Sequence, residues 1–348
     1  MPKLPQPRGP ISERLIAALA ARAGECDPPA LDPGETLPDE DLQLSLYVCY
    51  ELAYRSFDGV DARWEWNPSL IALRGELERR FESALTDALG PATGEYVDPA
   101  EMDLALREIA EGDDGPSLSQ YVEREASEEE IREFLIHRSA YQLKEADPHT
   151  WAIPRLHGSP KAAIVEVQAD EYGGGRAERI HAQLFAEAMA AVGLDPSYGA
   201  YLDRIPAVTL ATVNLISLFG LHRRLLGAVV GHLALFEMTS SVPNRRYGDG
   251  LRRLGYSGAA TEFFDEHVLA DAVHENIAAV DLAGGLARQQ PDLSSQILWG
   301  ARALVRFERL WSDHLLESWR RGESSLLAPA GGPEVDQFVS AVAEGARA

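Results

Sequence analysis

Residues 218–237 read LFGLHRRLLGAVVGHLALFE, and this stretch predicts a buried α-helix because apolar residues occupy almost every side of it. Its stripe of Leu226, Val230 and Leu233 continues to Glu237, a carboxylate at a position where the pattern calls for an apolar side chain. A buried ion without a partner is strongly destabilising. We therefore predict that Glu237 faces a cation inside a helical protein.

The rest of the chain shows the same helical spacing of apolar residues, whereas the alternating pattern typical of strands is missing. Glycine and proline punctuate the helical segments. We predict an all-α fold and leave open a break near Gly220 in one long segment. The predicted helices span residues 11–23, 40–56, 68–89, 127–147, 160–192, 207–239, 258–286 and 292–321.

The composition argues against several classes of function. The 348 residues include 32 Lys+Arg and 55 Asp+Glu, a formal net charge of −23, which disfavours binding to nucleic acid or to an anionic membrane surface. The two cysteines cannot supply a disulfide framework, a Cys-rich zinc site or an iron–sulfur cluster. The N-terminus lacks the apolar region of a secretory signal, and the nearest approach to a membrane span, residues 225–236, is too short. We expect a soluble cytoplasmic protein.

Residues 93–126 are acidic and rich in loop-forming residues, and we interpret them as a linker. The predicted organisation is an N-terminal helical region over residues 1–120 and a larger helical domain over residues 121–322. A tail rich in Ala, Gly and Pro follows over residues 323–348 and is expected to attach loosely or to form a short helix.

Acidic and histidine residues occupy several positions where the helical pattern calls for apolar ones. Ser127 and Glu130 form a capping box that starts a helix, and the inward stripe of this helix reaches Glu145. An alternative for Glu145 is an ion pair with Arg138, or a place at the fraying helix end before Pro148.

Glu171 and His181 lie ten residues apart in the next predicted helix, close to three turns, so their side chains project in nearly the same direction. Gly173, Gly174 and Gly175 lie between them. Glycines inside a helix cost on the order of 1 kcal/mol each relative to alanine. We interpret this run as a site of close packing or local unwinding.

His267, Asp271 and His274 form the strongest cluster, because spacings of four and three residues place three possible metal ligands on one helix face. The carboxylates of Glu145, Glu171, Glu237 and Asp271 total −4 when ionised, which two divalent cations balance. The three histidines add neutral nitrogen ligands. Seven such residues on four helices predict a dinuclear site in a bundle core, and carboxylate with imidazole favours iron or manganese.

Two other dinuclear families fit less well. The all-helical HD-type phosphohydrolases need a His-Asp dipeptide, and the chain has none. A ferritin-like site remains an alternative, since Glu178 and Asp271 each precede a histidine by three residues. That alternative leaves His267 unexplained.

The seven candidate ligands resemble those of the heme-oxygenase-like diiron oxidases and oxygenases in identity, order and spacing. The segments KEADPHTWAIPRL (144–156), EVQADEYGGGRAERIH (166–181) and GHLALFEMTSSVPNRRYGDGLRRLG (231–255) are similar to bacterial proteins described as iron-containing redox enzymes. The resemblance covers residues 127–320. It implies a heme-oxygenase-like helical bundle with an N-terminal helical extension.

The resemblance also implies the roles of the ligands. Glu145 and His181 would hold one of two Fe(II) ions together with a histidine of the last triplet, and Glu237 would bridge or chelate. Glu171 resembles the extra carboxylate of the N-oxygenating members. We therefore expect Glu171 to act in catalysis by stabilising a peroxo-diferric intermediate.

The implied activity is that of an N-oxygenase acting on an amine or guanidine nitrogen of a small amino-acid-like metabolite, with O2 as co-substrate. Electrons would come from an external donor or a reductase, because the chain has no nicotinamide or flavin fingerprint. The alternatives are oxidative decarboxylation or C–C cleavage of a fatty acid or amino acid, and a non-enzymatic iron-binding bundle. We also expect a homodimer.

Overall fold

The computed structural model describes residues 1–26, 37–94 and 97–329, and it leaves the side chains of residues 270–273 undescribed. Every regular element within this description is helical, which confirms the all-α prediction. A π-helical stretch, Ile277–Gly284, links α12 to α13. The α-helices are α1 Pro10–Leu19, α2 Glu40–Glu51, α3 Pro68–Leu89, α4 Met102–Glu111, α5 Leu118–Arg124, α6 Glu128–Gln142, α7 Asp147–Thr150, α8 Gly158–Glu171, α9 His181–Ala191, α10 Ala207–Leu221, α11 Leu226–Arg253, α12 Ala259–Asn276, α13 Gly285–Gln289 and α14 Ser294–Arg320.

Helix α11 organises the bundle, since it packs against α14, α12, α5 and α10. Its close approach to α14 depends on two glycines. A Cβ added at Gly231 would lie 1.8 Å from the carbonyl oxygen of Ile297, and one at Gly300 would lie 2.2 Å from that of Ala228. No side chain fits at either distance, so these glycines set the separation of the two helices.

The chain does break near Gly220, as the sequence left open. Helix α10 ends at Leu221, and the 3₁₀ turn Arg223–Leu225 separates it from α11. Helix α11 then continues to Arg253 with Pro243 inside it, so the predicted end at residue 239 was wrong.

One helical stretch, Arg223–Arg253, is long and apolar enough by length and composition to cross a membrane, and it is the single such candidate in the described part of the chain. The sequence analysis counted only uninterrupted apolar residues, and it therefore underestimated the length of this helix. In the structure 67% of its most apolar window is buried. Core helices of proteins that never enter a membrane have the same composition.

The linker predicted over residues 93–126 was only partly right. Two short helices, α4 and α5, form there and bury Met102, Leu106, Leu118 and Val122. The run GDDGP at residues 112–116, which suggested a loop, does lie in the connection between α4 and α5. Helix α4 packs against α11 and α14, and α5 packs against α11.

The N-terminal region contributes to the same main apolar core as the large domain. Helix α3 has its predicted bounds, begins with Pro68, and is capped by the Asn67 side chain, which accepts from the backbone N–H groups of Ser69 and Leu70. Helix α2 packs against α10, and both supply residues to this core. The domain boundaries stay a prediction, and the tail after residue 329 lies outside the described residues.

Candidate metal centre

Glu145 is presented by a turn rather than by a helix. The capping box of Ser127 and Glu130 starts α6 as predicted, but α6 ends at Gln142 instead of residue 147. Ala146, directly after Glu145, has a φ of 72°, which is unusual for a residue with a side chain. This turn directs the carboxylate into the protein, where Glu145 is 6% exposed.

Glu171 and His181 meet because the chain folds back between them. The single helix predicted over residues 160–192 was wrong, since α8 ends at Glu171 and α9 begins at His181. Gly173, Gly174 and Gly175 between them have φ values of 69°, 59° and 80°, a region that favours glycine. The fold-back places Nδ1 of His181 2.9 Å from Oε2 of Glu171.

Helices α11 and α12 complete the site from the other side. Nε2 of His267 lies 3.5 Å from Oε1 of Glu145, and Nδ1 of His274 lies 3.4 Å from Oε2 of Glu237. The two histidines are seven residues apart on one face of α12, so about 10 Å of helix separates them and each faces a different carboxylate. The Asp271 side chain lies outside the described residues.

The described ligand candidates form two groups that share one carboxylate. Within each group the possible donor atoms lie within 4.8 Å of one another. Glu171 belongs to both groups, so the geometry favours Glu171 over Glu237 for the shared position. The first group is Glu145, Glu171, His181 and His267, and the second is Glu171, Glu237 and His274.

Unsatisfied polar atoms show that the site fits metal ions. Oε2 of Glu145, Oε2 of Glu171, Nδ1 of His181 and Nδ1 of His274 are buried without a hydrogen bond. The atoms of Glu171 and His181 are close, but they are not aligned for a hydrogen bond. Adjacent ligands on an octahedral ion with bonds of about 2.1 Å lie about 3 Å apart, so a shared cation explains this spacing. Carboxylate and imidazole donors suit iron or manganese.

A comparison with protein families gives this cluster a context. Residues 132–309, just over half of the chain, match the model of a family described as iron-containing redox enzymes. The chain belongs to the iron-containing redox enzyme family. The match spans all seven candidate ligands and confirms the resemblance and the heme-oxygenase-like bundle predicted from the sequence. No curated protein matches the chain.

The acidic and histidine side chains of the site shift one another's pKa values toward the charged forms. Burial raises the pKa of the Glu171 carboxyl, but neighbouring imidazoles, chiefly that of His181, outweigh burial and lower it. Burial lowers the pKa of His181, yet Glu171 more than compensates and raises it. Despite its burial, His274 has a pKa raised to about 9 by Glu237, Asp170 and Glu171.

Outer hydrogen bonds orient two of the histidines. Nδ1 of His267 donates to the carbonyl oxygen of Phe263 at 2.8 Å, which leaves Nε2 toward the site. Nε2 of His274 donates to Oδ2 of Asp170 at 2.9 Å, which leaves Nδ1 toward Glu237. Such partners fix which ring nitrogen can bind a metal. Sequence reasoning missed Asp170, whose only signal is its place directly before Glu171.

The structure also decides two alternatives left open by the sequence. Arg138 does not pair with Glu145, because its guanidinium donates to both carboxylate oxygens of Glu308, at 3.0 and 2.8 Å, and lies over the Trp311 ring. Glu178, the acid of one ferritin-like motif, is exposed and lies in neither group of donors. The His181 position therefore does not follow the ferritin-like pattern.

A cavity of about 310 Å³ lies beside the candidate centre. Phe236 and Ser240 line both this cavity and the small space around Glu145, Glu171 and Glu237, so the two are neighbours across these side chains. The charged residues of the cavity form two ion pairs, Arg138 with Glu308 and Arg309 with Asp113. Its aromatic lining consists of Phe134, Phe185, Phe236, Tyr247, Phe263 and Phe264.

Proposed function

We propose that the protein is an O2-activating oxidoreductase with a dinuclear iron site. The observation that carries this proposal is the buried Glu171 carboxylate common to two adjacent groups of candidate ligands, in which four polar atoms lack a hydrogen bond. Glu145, His181 and His267 would hold one ion with Glu171, and Glu237 with His274 the other. Asp271 stays a ligand predicted from the sequence alone, because its side chain lies outside the described residues. A pair of ferrous ions supplies the electrons and open coordination positions for the reduction of O2.

The chain's own residues prepare the site for such chemistry. Leu233 and Phe236 border the space beside the carboxylates and limit the entry of water. Tyr141 borders it too, and burial together with the negative charges of Glu145 and Glu171 raises its pKa far above the ordinary value. Tyr141 therefore keeps its phenolic proton next to the carboxylates, where it can donate a hydrogen bond.

We propose that the substrate is a small molecule with an amine or guanidine nitrogen that receives oxygen. The charges in the adjacent cavity support this choice because they cancel in pairs, Arg138 with Glu308 and Arg309 with Asp113. The carboxylate of a fatty acid would meet two arginines that are already paired. A neutral or zwitterionic amine can form hydrogen bonds with both members of such a pair.

Oxidative decarboxylation or C–C cleavage is the second candidate, and the aromatic lining of the cavity favours it. Phe134, Phe185 and Phe264 form a surface that suits an alkyl chain. In either case the reductant would be external, supplied by a reductase or a small molecule, and O2 would be the co-substrate.

The test is anaerobic loading of the purified chain with Fe(II), followed by ¹⁸O2 and a panel of amines, amino acids and fatty acids. Products are identified by mass spectrometry. Labelled nitrogen-oxidised products are expected, and chain-shortened products would instead establish the second candidate. Tight iron binding without an organic product or substrate-dependent O2 uptake would establish an iron-binding bundle. Failure to retain iron would contradict the proposal altogether.

A further inference from the structure

A fully buried ion pair joins the N-terminal region to the turn that carries Glu145. Nζ of Lys144 lies 3.0 Å from Oε2 of Glu51 on α2, and the side chains are 1% and 0% exposed. The same carboxylate oxygen accepts a hydrogen bond from the Tyr198 hydroxyl at 2.7 Å. The ammonium group also lies 4.8 and 4.5 Å from the ring centroids of Tyr47 and Tyr54.

Such a buried ion pair adds little to the free energy of unfolding, but it holds its two side chains in defined positions. Taking two charges out of water costs about as much as their attraction returns, and apolar residues of similar volume often stabilise a protein equally well. The partners around Lys144 instead leave its ammonium group little freedom. The place of Lys144 in the protein is therefore set by Glu51 and the surrounding tyrosines.

The turn itself has little support from regular structure. Three backbone bonds hold it, from the N–H of Lys144 to Tyr141 at 2.8 Å, from that of Glu145 to Gln142 at 3.3 Å and from that of Asp147 to Lys144 at 3.2 Å. Ala146 follows with its positive φ, a conformation that persists only where the surroundings enforce it. On one side the Gln168 amide donates to the carbonyl oxygen of Ala146 at 2.9 Å. On the other side the anchor is Lys144 on Glu51.

We propose that α2 completes the metal centre, with Glu51 as a positioning residue that acts through Lys144. By holding Lys144, Glu51 fixes the backbone from which the adjacent Glu145 carboxylate projects toward His267. This inference rests on the metal site proposed above. It assigns to the N-terminal region, outside the family match over residues 132–309, a part in ligand geometry that is exerted through Lys144.

The experiment uses Co(II) alone as the probe, because its d–d absorption reports ligand number and geometry. Affinity comes from titration calorimetry of the metal-free full-length chain, and circular dichroism verifies the fold. Glu51→Gln leaves Lys144 buried without its counter-charge. The double variant Glu51→Leu with Lys144→Met removes the pair and leaves no buried charge, so it is expected to fold.

Both variants are expected to bind Co(II) at least about tenfold more weakly at the Glu145 position and to alter the d–d bands. The matched control is Glu78→Gln, because Glu78 is also a buried carboxylate of the N-terminal region, paired with His222 and Arg74. The control is expected to stay within twofold of the wild type with an unchanged spectrum.

Wild-type affinity and spectrum in the folded double variant would overturn the proposal, as would equal losses in the double variant and the Glu78 control. Absence of Co(II) binding by the wild type would instead overturn the metal site itself. The two failures are therefore distinguishable.

Discussion

The Glu171 carboxylate and the His181 imidazole face each other at 2.9 Å with both facing atoms lacking a hydrogen bond. In the metal-free protein the raised pKa values of His181 and His274 allow protons to offset the buried carboxylates. A metal ion provides the same compensation with a stronger and more directional bond. Metal binding at this site would therefore exchange protons for a metal ion.

Glu171 belongs to both donor groups, whereas each of the other residues belongs to one. Replacing Glu171 with alanine is therefore expected to weaken metal binding more than replacing any other candidate ligand. We expect the Glu171→Ala variant to lose the second equivalent of Co(II) and to bind the first at least about tenfold more weakly. Metal content after desalting and calorimetric titration measure both effects. The exposed Glu166 on the same helix supplies the control variant Glu166→Ala, and equal metal content in the two variants would refute the shared role.

His232 is expected to make the protein less stable in acid. Burial lowers its pKa to about 3, so the folded protein keeps it neutral while the unfolded chain binds a proton below the ordinary pKa of 6.5. The contribution of His232 to the free energy of unfolding is fully present above pH 6.5 and is lost as the pH falls toward 3. The loss approaches about 1.4 kcal/mol per pH unit within that window.

Urea unfolding at pH 7 and pH 5 tests this effect through the pH dependence alone. The wild type is expected to lose more free energy of unfolding between these values than His232→Gln, whichever variant is more stable at pH 7. Equal losses would show that His232 does not carry the effect. Because each protein is compared with itself at two pH values, the free energy lost by altering the 3.3 Å contact between His232 and His149 does not affect the result.

At the scale of helices, two glycine positions with opposite surroundings test the α11–α14 contact. Gly231→Ala would place a Cβ 1.8 Å from the Ile297 carbonyl oxygen, so the helices must separate. We expect destabilisation of about 1–3 kcal/mol or more. Gly75 on α3 has no atom within 4 Å of an added Cβ, so Gly75→Ala is expected to stabilise by about 0.5–1 kcal/mol. Thermal denaturation of both variants provides the measurement, and the same sign of change in both would contradict the packing argument.

The α8–α9 junction shows why the helix pattern alone misled. Apolar spacing continues on both sides of Gly173, which predicts one helix. A Cβ at Gly173 would lie 2.7 Å from the backbone of Arg179 and Ile180, so the folded chain needs glycine there for a close reversal. That contact joins residues distant along the presumed helix, and helical periodicity carries no information about it.

At the scale of the molecule, metal loading is expected to stabilise the fold and to do so more strongly at higher pH. A ligand that binds only the folded state at a hundred times its Kd adds about 2.7 kcal/mol. Because His274 has a raised pKa of about 9, a metal must displace its proton below that pH, and affinity should rise from pH 6.5 toward 9. The measurement is the shift in Tm on adding Co(II) at pH 6.5 and at pH 8. A shift that is absent, or larger at pH 6.5, would contradict this linkage.

The sequence by itself predicted the fold class, and it named the six residues that the described structure brings together in two donor groups. Helical spacing of apolar residues reports burial directly, and an acid such as Glu237 within an apolar stripe stands out because an uncompensated buried charge is costly. The capping box at Ser127 could also be predicted, because it depends on neighbouring residues.

Only the tertiary structure decided how these residues meet. The sharing of Glu171, the orientation of His274 by Asp170, and the anchoring of the Glu145 turn by Glu51 all join segments far apart in the chain. Their geometry depends on how closely helices pack and where the chain reverses. Those features follow from contacts that form only when the whole core assembles, so a local pattern cannot specify them.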